Sequence, residues 1–402
     1  MNSAVGSGFQ GMPWPSWIEV DLDSIAHNVA AIRRVTGDGC RIIAVVKAQA
    51  YGHGATEVSR AALSAGAQWL AVSRVREGAQ LRAAGLDAPI LLLGSFDRNE
   101  VPQIVRLGLR PTVVSPEQVG WLCEAAEGAG ATVQVHLKID TGLGRYGAPI
   151  GELRGLLSLL SRAPAVRVEG LYSHFASADD SDLSYARAQL GAMKQARAAL
   201  ESEGYSFPVA HIAASAGVLA LGSSQMEMVR LGLSMYGHYP SPHLRSVVDL
   251  RPALSLKSRV SRLFRVERGQ SIGYGRTFVA QGPISAALVP VGYADGLPRA
   301  HGNRGAVLVR GRRAPIIGRI SMDQSVVDVT SVAGVAVGDT VTLIGDQEGA
   351  TISCEEFAAL SGTINYETLT SLGWRLPRVY LRGGKPVSVA YLDEGRVESW
   401  TQ

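Results

Sequence analysis

A lysine closes an apolar run near the start of the chain, where residues 41–47 have the sequence RIIAVVK. If this run is a strand of a parallel barrel, Lys47 lies at the carboxyl-terminal mouth, where barrel enzymes place their reactive groups. Burial at that position lowers the pKa of the amine and leaves its lone pair available for a Schiff base with a carbonyl compound. This segment alone is equally compatible with a solvated lysine at a strand end.

Two later runs have features of a phosphate site. The run HIAASAG at residues 211–217 places the Ser215 hydroxyl before a predicted helix, whose first N–H groups attract anions. The run MVRLGL at residues 228–233 contains Gly232, which allows close approach to the backbone. Barrels commonly hold a phosphate after their last two strands, which are the places of these runs in the predicted order. Ser215 is also compatible with a simple helix N-cap, but both runs together with Lys47 favour pyridoxal phosphate as a cofactor.

The first part of the chain alternates short apolar runs with helical patterns. The predicted strands are 41–47, 69–73, 89–94, 110–114, 132–140, 166–174, 209–215 and 226–236, and the predicted helices include 24–34, 55–65, 77–84, 116–127, 151–161 and 183–203. Buried parallel strands joined by crossover helices predict an α/β fold, a (β/α)8 TIM-type barrel. An open doubly wound sheet is the alternative, but no run is followed by the glycine-rich turn typical of a dinucleotide site.

The pattern changes after residue 248. Short β-rich runs separated by glycine and proline follow at 255–264, 284–291, 305–309, 313–317, 325–328 and 340–344, with helical inserts at about 353–360 and 366–373. These runs predict a second, mostly β C-terminal domain. An extended segment at 16–21 is predicted as a strand outside the barrel that joins it. The predicted division is therefore 1–23 for this extension and strand, 24–248 for the barrel and 249–402 for the β domain.

Composition excludes several classes of protein. With 402 residues, 46% hydrophobic and 18% charged, the chain has an ordinary globular composition and suits two domains. The net charge of +4 comes from scattered basic residues, so we expect no nucleic-acid partner. Residues 1–15 lack the pattern of a signal peptide, and no stretch approaches a membrane span, which predicts a cytoplasmic protein without a membrane partner. The 3 cysteines are far apart, which argues against a disulfide framework and a metal site.

Five spaced segments resemble the alanine racemases, and the resemblance extends over nearly the whole chain. They are VKAQAYGHG at 46–54, HLKIDTGLGRYG at 136–147, GYG at 273–275, GYADG at 292–296 and GRISMDQ at 318–324. The resemblance implies a fold-type-III racemase that interconverts L-alanine and D-alanine with pyridoxal 5'-phosphate. It also implies a homodimer with shared active sites that supplies D-alanine for peptidoglycan.

The resemblance assigns the central chemistry to a few residues. Lys47 binds the cofactor as a Schiff base and is the base on one face of the substrate, and Tyr274 is the base on the other. Racemisation needs both, because a planar carbanion must be able to receive a proton on either face. Arg230 binds the pyridine nitrogen, and His174 links Arg230 to Tyr274. A guanidinium keeps that nitrogen largely neutral, which disfavours transamination and decarboxylation.

The resemblance also implies how the rest of the site is built. The cofactor is held by the groups that occupy the family's phosphate-binding positions: Tyr51, Ser215, Gly232, Leu233 and Tyr366. Arg145 and the Met322 N–H meet the substrate carboxylate, and Lys138, as a carbamate, anchors Arg145. Tyr274, Met322 and Asp323 are supplied across the dimer. A substrate corridor is formed by Asp179, Tyr293, Arg299, Arg319 and Ile364.

Three alternatives stay open at this stage. A racemase of another small amino acid such as serine is disfavoured by the large ring of Tyr366 beside the substrate. A non-catalytic pyridoxal phosphate carrier would resemble the first half of the chain only. A decarboxylase of related fold would want an acid in place of Arg230. The sequence departs from the family at Gln49, where Asn or Asp is common, and at Ala214, where many relatives have Asn.

Overall fold

The structure, a computed structural model, describes residues 13–392 and 396–399. The chain divides into two units. The barrel unit contains residues 24–50 and 55–251, and the β unit contains the described residues up to Asp23, residues 51–54 and those from Pro252 onward. Residues 1–12 of the predicted extension lie outside the described residues. The predicted boundaries 24–248 and 249–402 stay predictions.

Strands of the barrel unit form one parallel sheet that curls towards closure. After β1, Ser16–Asp21, which belongs to the β unit, the strands are β2 Arg41–Val45, β3 Trp69–Val72, β4 Ile90–Leu92, β5 Arg110–Val113, β6 Val133–Asp140, β7 Ala148–Pro149, β8 Val166–Tyr172, β9 Val209–His211 and β10 Met228–Leu231. Their order is β10-β2-β3-β4-β5-β6-β8-β9, with the short β7 beside β6. The Arg230 N–H donates to the Ala213 carbonyl at 3.0 Å, and Ala214 bridges Arg230 in parallel, which joins the two ends. The predicted barrel is confirmed.

Helices follow most barrel strands and pack their apolar faces on the sheet. Their bounds are α1 Leu22–Thr36, α2 Ala55–Ser64, α3 Val75–Ala83, α4 Val101–Arg106, α5 Pro116–Gly128, α6 Leu153–Leu160, α7 Ser184–Ser202 and α8 Ser215–Ala220. In α6, Leu153, Leu156, Leu157 and Leu160 are buried, as the spacing of one helix face requires. None of the helices among the described residues is long and apolar enough to cross a membrane.

The β unit is a largely antiparallel sheet. Its strands are β1 and β11 Leu254–Arg259, β12 Arg262–Val266, β13 Ser271–Ile272, β14 Phe278–Val279, β15 Ile284–Val289, β16 Ala306–Val309, β17 Arg312–Ile317, β18 Ser325–Asp328, β19 Thr340–Gln347, β20 Ala350–Ile352, β21 Arg378–Arg382, β22 Lys385–Tyr391 and β23 Arg396–Ser399, and its helices are α9 Cys354–Leu360 and α10 Asn365–Ser371. Strand β1 pairs antiparallel with β11 and parallel with β21, and Trp17 packs with Val379 and Val389. Strands β13 and β14 form a separate hairpin.

Several sequence predictions need correction. The strands predicted at 209–215 and 226–236 are shorter, since β9 ends at His211 and β10 ends at Leu231, and Ser215 and Leu233 each begin a helical turn. The single strand predicted at 255–264 is two strands, because β11 pairs with β1 and β19 whereas β12 pairs with β15. The first barrel strand was predicted to end at Lys47, but β2 ends at Val45. Lys47 therefore stands in the segment that follows the strand, whose backbone conformation decides where its amine points.

Candidate active site

Lys47 is followed by a left-handed turn. The φ angles of Ala48, Gln49, Ala50 and Tyr51 are 52°, 54°, 53° and 53°, although none is glycine. Such backbone costs about 1–2 kcal/mol per residue, since Cβ approaches the following carbonyl. The Lys47 side chain is half-buried, and its pKa is lowered by that burial and by the nearby Arg145 guanidinium. The amine of Lys47, just before this turn, therefore gives up its proton more readily than the amine of an exposed lysine.

Arg230 is the buried centre of a polar network inside the barrel. Its Nη2 lies 2.9 Å from Nδ1 of His174 and 2.8 Å from the carbonyls of Ser173 and Ile212, and its Nη1 contacts Nδ1 of His211. Burial lowers the pKa of Arg230 to about 10, so the guanidinium stays protonated at neutral pH. Both imidazoles must accept from it, because a guanidinium only donates.

Lys138 lies on β6, near the other cations. Its Nζ is 5.4 Å from the ring centre of Tyr146 and 5.5 Å from that of Tyr172. Burial, followed by repulsion from Arg230 and Arg145, lowers the pKa of Lys138 to about 8. The amine therefore has a substantial neutral fraction at mildly alkaline pH, which is the form that reacts with carbon dioxide.

The loop that carries Arg145 is folded around one carboxylate. Asp140 accepts the N–H groups of Gly142, Leu143 and Gly144 at 2.8, 2.9 and 2.9 Å. Tyr185 donates its hydroxyl to the Gly142 carbonyl at 2.9 Å. These hydrogen bonds use the backbone groups of the loop and do not involve the Arg145 side chain. That side chain is exposed, so its guanidinium can bind an anion.

The predicted phosphate loops meet at the Ser215 hydroxyl. Its Oγ accepts the N–H groups of Gly232 at 3.3 Å and Ser234 at 3.1 Å, and Leu233 lies between them in the short 3-10 turn Leu233–Tyr236. Ser215 is the first residue of α8, and Ala214 occupies the N-cap position. Since the Ser215 oxygen accepts two bonds, its own hydrogen can be donated to a further group.

Tyr274 lies in the β unit, in the turn of the β13–β14 hairpin. It stands between Gly273 and Gly275, whose φ angles of 74° and 69° suit glycine. An added Cβ on Gly275 would lie 2.8 Å from the Arg319 guanidinium. The Tyr274 side chain is 70% exposed in the single chain, so its hydroxyl is presented at the surface of this unit.

Other predicted residues of the β unit fall into two places. Tyr51 and Tyr366 lie together, with ring centres 6.1 Å apart, and burial raises the pKa of Tyr51. Asp323 accepts from Arg375 at 2.7 Å. Met322 is 53% exposed, and its N–H has no hydrogen-bond partner among the described residues.

The predicted site residues are divided between the two units. The barrel unit holds Lys47, Lys138, Arg145, His174, Ser215, Arg230, Gly232 and Leu233, and the β unit holds Tyr51, Tyr274, Met322, Asp323 and Tyr366. Sequence reasoning missed His211 and Glu77 as parts of the site. A histidine inside the apolar run VAHIA at 209–213 was the available signal for His211. Nothing local to residue 77 indicated that its carboxylate reaches Ala48.

Comparisons with known proteins match both parts of the chain. The barrel with its cationic mouth and the mostly β second unit have the fold of barrel-type amino-acid racemases. Residues 20–240 match the family described as "Alanine racemase, N-terminal domain", and residues 253–380 match "Alanine racemase, C-terminal domain". The chain belongs to the alanine racemase family.

Individual relatives agree over most of their length. An alanine racemase of Desulfosudis oleivorans is 42% identical over 382 residues, which is 92% of this chain and 97% of the relative. An alanine racemase structure from Clostridium difficile has a TM-score of 0.91 at 34% identity, covering 95% of this chain and 99% of that one. One from Bacillus anthracis with bound L-Ala-P has a TM-score of 0.90 at 38% identity, covering 95% and 100%.

Proposed function

We propose that this racemase interconverts L-alanine and D-alanine with pyridoxal phosphate, and that Lys47 and Tyr274 are its two opposed bases. The activity and the cofactor are those of the family to which the chain belongs. The observation that carries the assignment of Lys47 is its position. Lys47 lies just after a barrel strand, and its side chain is half-buried. The pKa of its amine is lowered by that burial and by Arg145.

The residues of the barrel unit fit the cofactor. Ser215 has a hydroxyl hydrogen to donate, and the Ser234 hydroxyl beside it is buried without a hydrogen-bond partner among the described residues. Both hydroxyl groups suit a phosphate. Arg230 Nε makes no hydrogen bond within the described part of the chain, which leaves a donor for the ring nitrogen. Gly232 and Leu233 would hold the phosphate through their backbone.

Lys47 would serve one face of alanine. When bound, pyridoxal phosphate acidifies the α-carbon by delocalising the electron pair that the departing proton leaves behind. The neutral Lys47 Nζ can then accept that proton. Because Arg145 disfavours a second positive charge nearby, the same amine readily returns the proton it has taken. A group that both accepts and donates is what a reversible racemisation requires.

Tyr274 would serve the opposite face from a partner subunit. Tyr274 and Met322 are exposed in the single chain, at 70% and 53%. Tyrosine and methionine are enriched in protein–protein interfaces relative to the rest of the surface. We therefore propose a homodimer in which Tyr274, Met322 and Asp323 of one subunit complete the Lys47 site of the other. The Arg375 ion pair would hold Asp323 in place.

Arg145 and Met322 would bind the substrate carboxylate. Arg145 is exposed on a loop held by Asp140, and the Met322 N–H has no partner among the described residues. Tyr51 and Tyr366 would reach the cofactor phosphate through their hydroxyls. The ring of Tyr366 would also limit the substrate side chain to a methyl group, which supports alanine over serine.

The cellular role follows from the product. D-Alanine is a building block of peptidoglycan, so we propose that the protein works in the cytoplasm and supplies this precursor. The role of Lys138 as a carbamate belongs to the same proposal, because its lowered pKa favours the reactive neutral amine.

The test is a chiral assay of the purified protein with pyridoxal phosphate. L-Alanine and L-serine are supplied separately, and the visible absorbance of the bound cofactor is recorded with Lys47→Ala and Lys194→Ala as paired variants. Lys194 is an exposed lysine of α7 and serves as the control. We expect D-alanine from the wild type and from Lys194→Ala, and neither product nor covalently bound cofactor from Lys47→Ala. Fast D-serine with little D-alanine would contradict the substrate, and full activity of Lys47→Ala would contradict the base.

A further inference from the structure

The left-handed turn after Lys47 is held by contacts from outside the turn. Within the segment, the Ala50 N–H donates to the Val46 carbonyl at 2.9 Å. Ala48, Gln49 and Ala50 have no intrinsic preference for the left-handed region, where glycine is favoured. Backbone of this kind persists only when surrounding groups specify it. Neighbouring groups must therefore hold the residues that follow Lys47.

Glu77 makes the most direct of these contacts. Its Oε1 accepts the Ala48 N–H at 2.6 Å, and its Oε2 accepts the N–H groups of Ser73 at 2.7 Å and Arg74 at 2.9 Å. Ala48 comes immediately after Lys47, whereas Ser73 and Arg74 follow the neighbouring strand β3. One carboxylate therefore joins the turns that follow two adjacent parallel strands.

A second side chain of the same helix supports the turn. Gln80 lies three residues after Glu77 in α3, so both project from one face of the helix. Its Oε1 accepts the Gln49 amide at 2.8 Å, and the Gln49 Oε1 accepts the Ala55 N–H at 3.2 Å. Gln49, which stands where the family commonly has Asn or Asp, thus has a partner on α3.

A purely structural role explains only part of this arrangement. The bonds to Ser73 and Arg74 are those of a helix cap, which a glutamate at the third helical position often makes. The bond to Ala48 is not needed to cap α3, because it leaves the helix and reaches a different loop. It stabilises the conformation of the residue that adjoins Lys47.

We propose that Glu77 is a positioning residue for Lys47: its carboxylate holds the Ala48 N–H and, with Gln80, fixes the left-handed turn that sets the direction of the Lys47 amine. The inference deepens the proposed function and rests on it, since it assumes that Lys47 is a catalytic base. A change at Glu77 should therefore slow proton transfer without removing any group that touches the substrate. Small misplacements of a reacting group can lower a rate about a hundredfold.

The test compares Glu77→Gln with Glu100→Gln in the cofactor-loaded enzyme. Glu100 is a matched control, because it also ends a capping box, accepting the Asp97 N–H at 3.0 Å. Within the described part of the chain its carboxylate accepts no hydrogen bond from the Lys47 segment. Glutamine has the shape of glutamate but presents one acceptor and one donor. It can keep the cap on Ser73 and Arg74 only by turning its NH2 towards the Ala48 N–H, which loses that bond.

Two readouts separate positioning from stability. The first is amide hydrogen exchange of a peptide that covers residues 47–52, which we expect to be at least about tenfold faster in Glu77→Gln. The second is steady-state kinetics with alanine, in which we expect kcat to fall at least about tenfold while KM changes less than about threefold. Glu100→Gln should match the wild type in both.

Each other outcome overturns the proposal. Exchange and kcat equal to those of Glu100→Gln would mean that Glu77 does not hold the turn. Faster exchange with normal kcat would mean that the turn does not position Lys47, and a lower kcat without faster exchange would mean that Glu77 acts in another way. Lys47→Ala, measured in parallel, separates the two proposals: if that variant stays active, the proposed function itself fails, whatever Glu77→Gln does.

If Glu77→Gln does not fold, a second variant, Glu77→Asp, tests the proposal. Glu77→Asp keeps the charge and a good capping residue, but its shorter side chain cannot span from Ser73 to Ala48. It should show the same faster exchange at 47–52 and the same selective loss of kcat, and wild-type values of both would overturn the proposal.

Discussion

Nη2 of Arg230 lies 2.9 Å from Nδ1 of His174, inside the barrel unit. Because the guanidinium can only donate, Nδ1 must accept, and the proton of the neutral imidazole sits on Nε2. Burial first, and then the charge of Arg230, holds the pKa of His174 well below its usual range. His174 is therefore a neutral residue with a defined tautomer, and its Nε2–H can donate to a phenol oxygen such as that proposed for Tyr274.

The buried histidines should make the fold sensitive to mild acid. Burial lowers the pKa of His136, His174 and His211, so the unfolded chain binds more protons than the folded one below about pH 6.5. Stability should then be lost as the pH falls from about 6.5 towards 5, by up to about 1.4 kcal/mol per pH unit for each histidine. The carboxylates with lowered pKa contribute only at lower pH.

The measurement is the urea midpoint of unfolding between pH 5.5 and 7.5. Between pH 7.5 and pH 5.5, the urea midpoint of the variant His211→Gln should fall less than that of the wild type. His243→Gln, at an exposed position, is the control and should follow the wild type. A midpoint independent of pH in the wild type would show that these histidines do not stay neutral in the fold.

Tyr274→Phe should block proton transfer on one face only. Racemisation should fall by about a hundredfold or more, the usual contribution of a general acid or base, while cofactor binding is retained. In D2O, nuclear magnetic resonance should show that one enantiomer of alanine still exchanges its α-proton through Lys47. Tyr205→Phe, in the barrel unit, is the control. Racemisation at the wild-type rate by Tyr274→Phe would rule out the two-base scheme.

Lys138 should react with carbon dioxide. Its pKa of about 8 leaves neutral amine available, and attack on carbon dioxide forms an N–C bond and releases one proton to solvent. With 13C-labelled bicarbonate, a carbamate resonance is expected in the wild type and in Lys194→Ala but not in Lys138→Ala. Loss of the anion should raise KM for alanine about tenfold, as expected for one charge-assisted hydrogen bond to Arg145. A resonance that persists in Lys138→Ala would assign the carbamate elsewhere.

Arg378 should be essential to the stability of the β unit. The side chain is fully buried and donates to the carbonyls of Gly52 at 3.0 Å, Gly373 at 2.6 Å and Leu376 at 2.7 Å. Arg378→Met leaves these carbonyl groups without their hydrogen-bond donor. We therefore expect the free energy of unfolding to fall by about 3 kcal/mol or more. Arg382→Met, on the exposed end of β21, should cost little. Equal denaturation midpoints for the two variants would contradict this.

Local patterns predicted most of the elements but not all their partners. The strands at 16–21 and 325–328 have the predicted bounds, because alternating apolar residues between turns specify a strand without reference to the rest of the chain. The run 255–264 also looked like one strand. It is two, since the strands that pair with each half are different, and pairing is a property of the sheet. The strands β21 and β22 were not predicted, because their apolar runs are short and bounded by charged residues and glycine, and their pairing with β1 and with each other is a property of the sheet.

The sequence by itself determined the fold class, the family and the identity of the chemical groups, because periodicity and motifs are written along the chain. Only the tertiary structure decided the positions, hydrogen bonds and protonation of those groups. Nothing in the sequence at residues 48–50 specifies a left-handed turn, and the carboxylate of Glu77 reaches Ala48 from 29 residues away. The lowered pKa of Lys47 and the neutral state of His174 likewise depend on burial and on cations that are distant in sequence but close in space. Hydrogen bonds and electrostatic fields depend on distances in space, which the order of residues does not state.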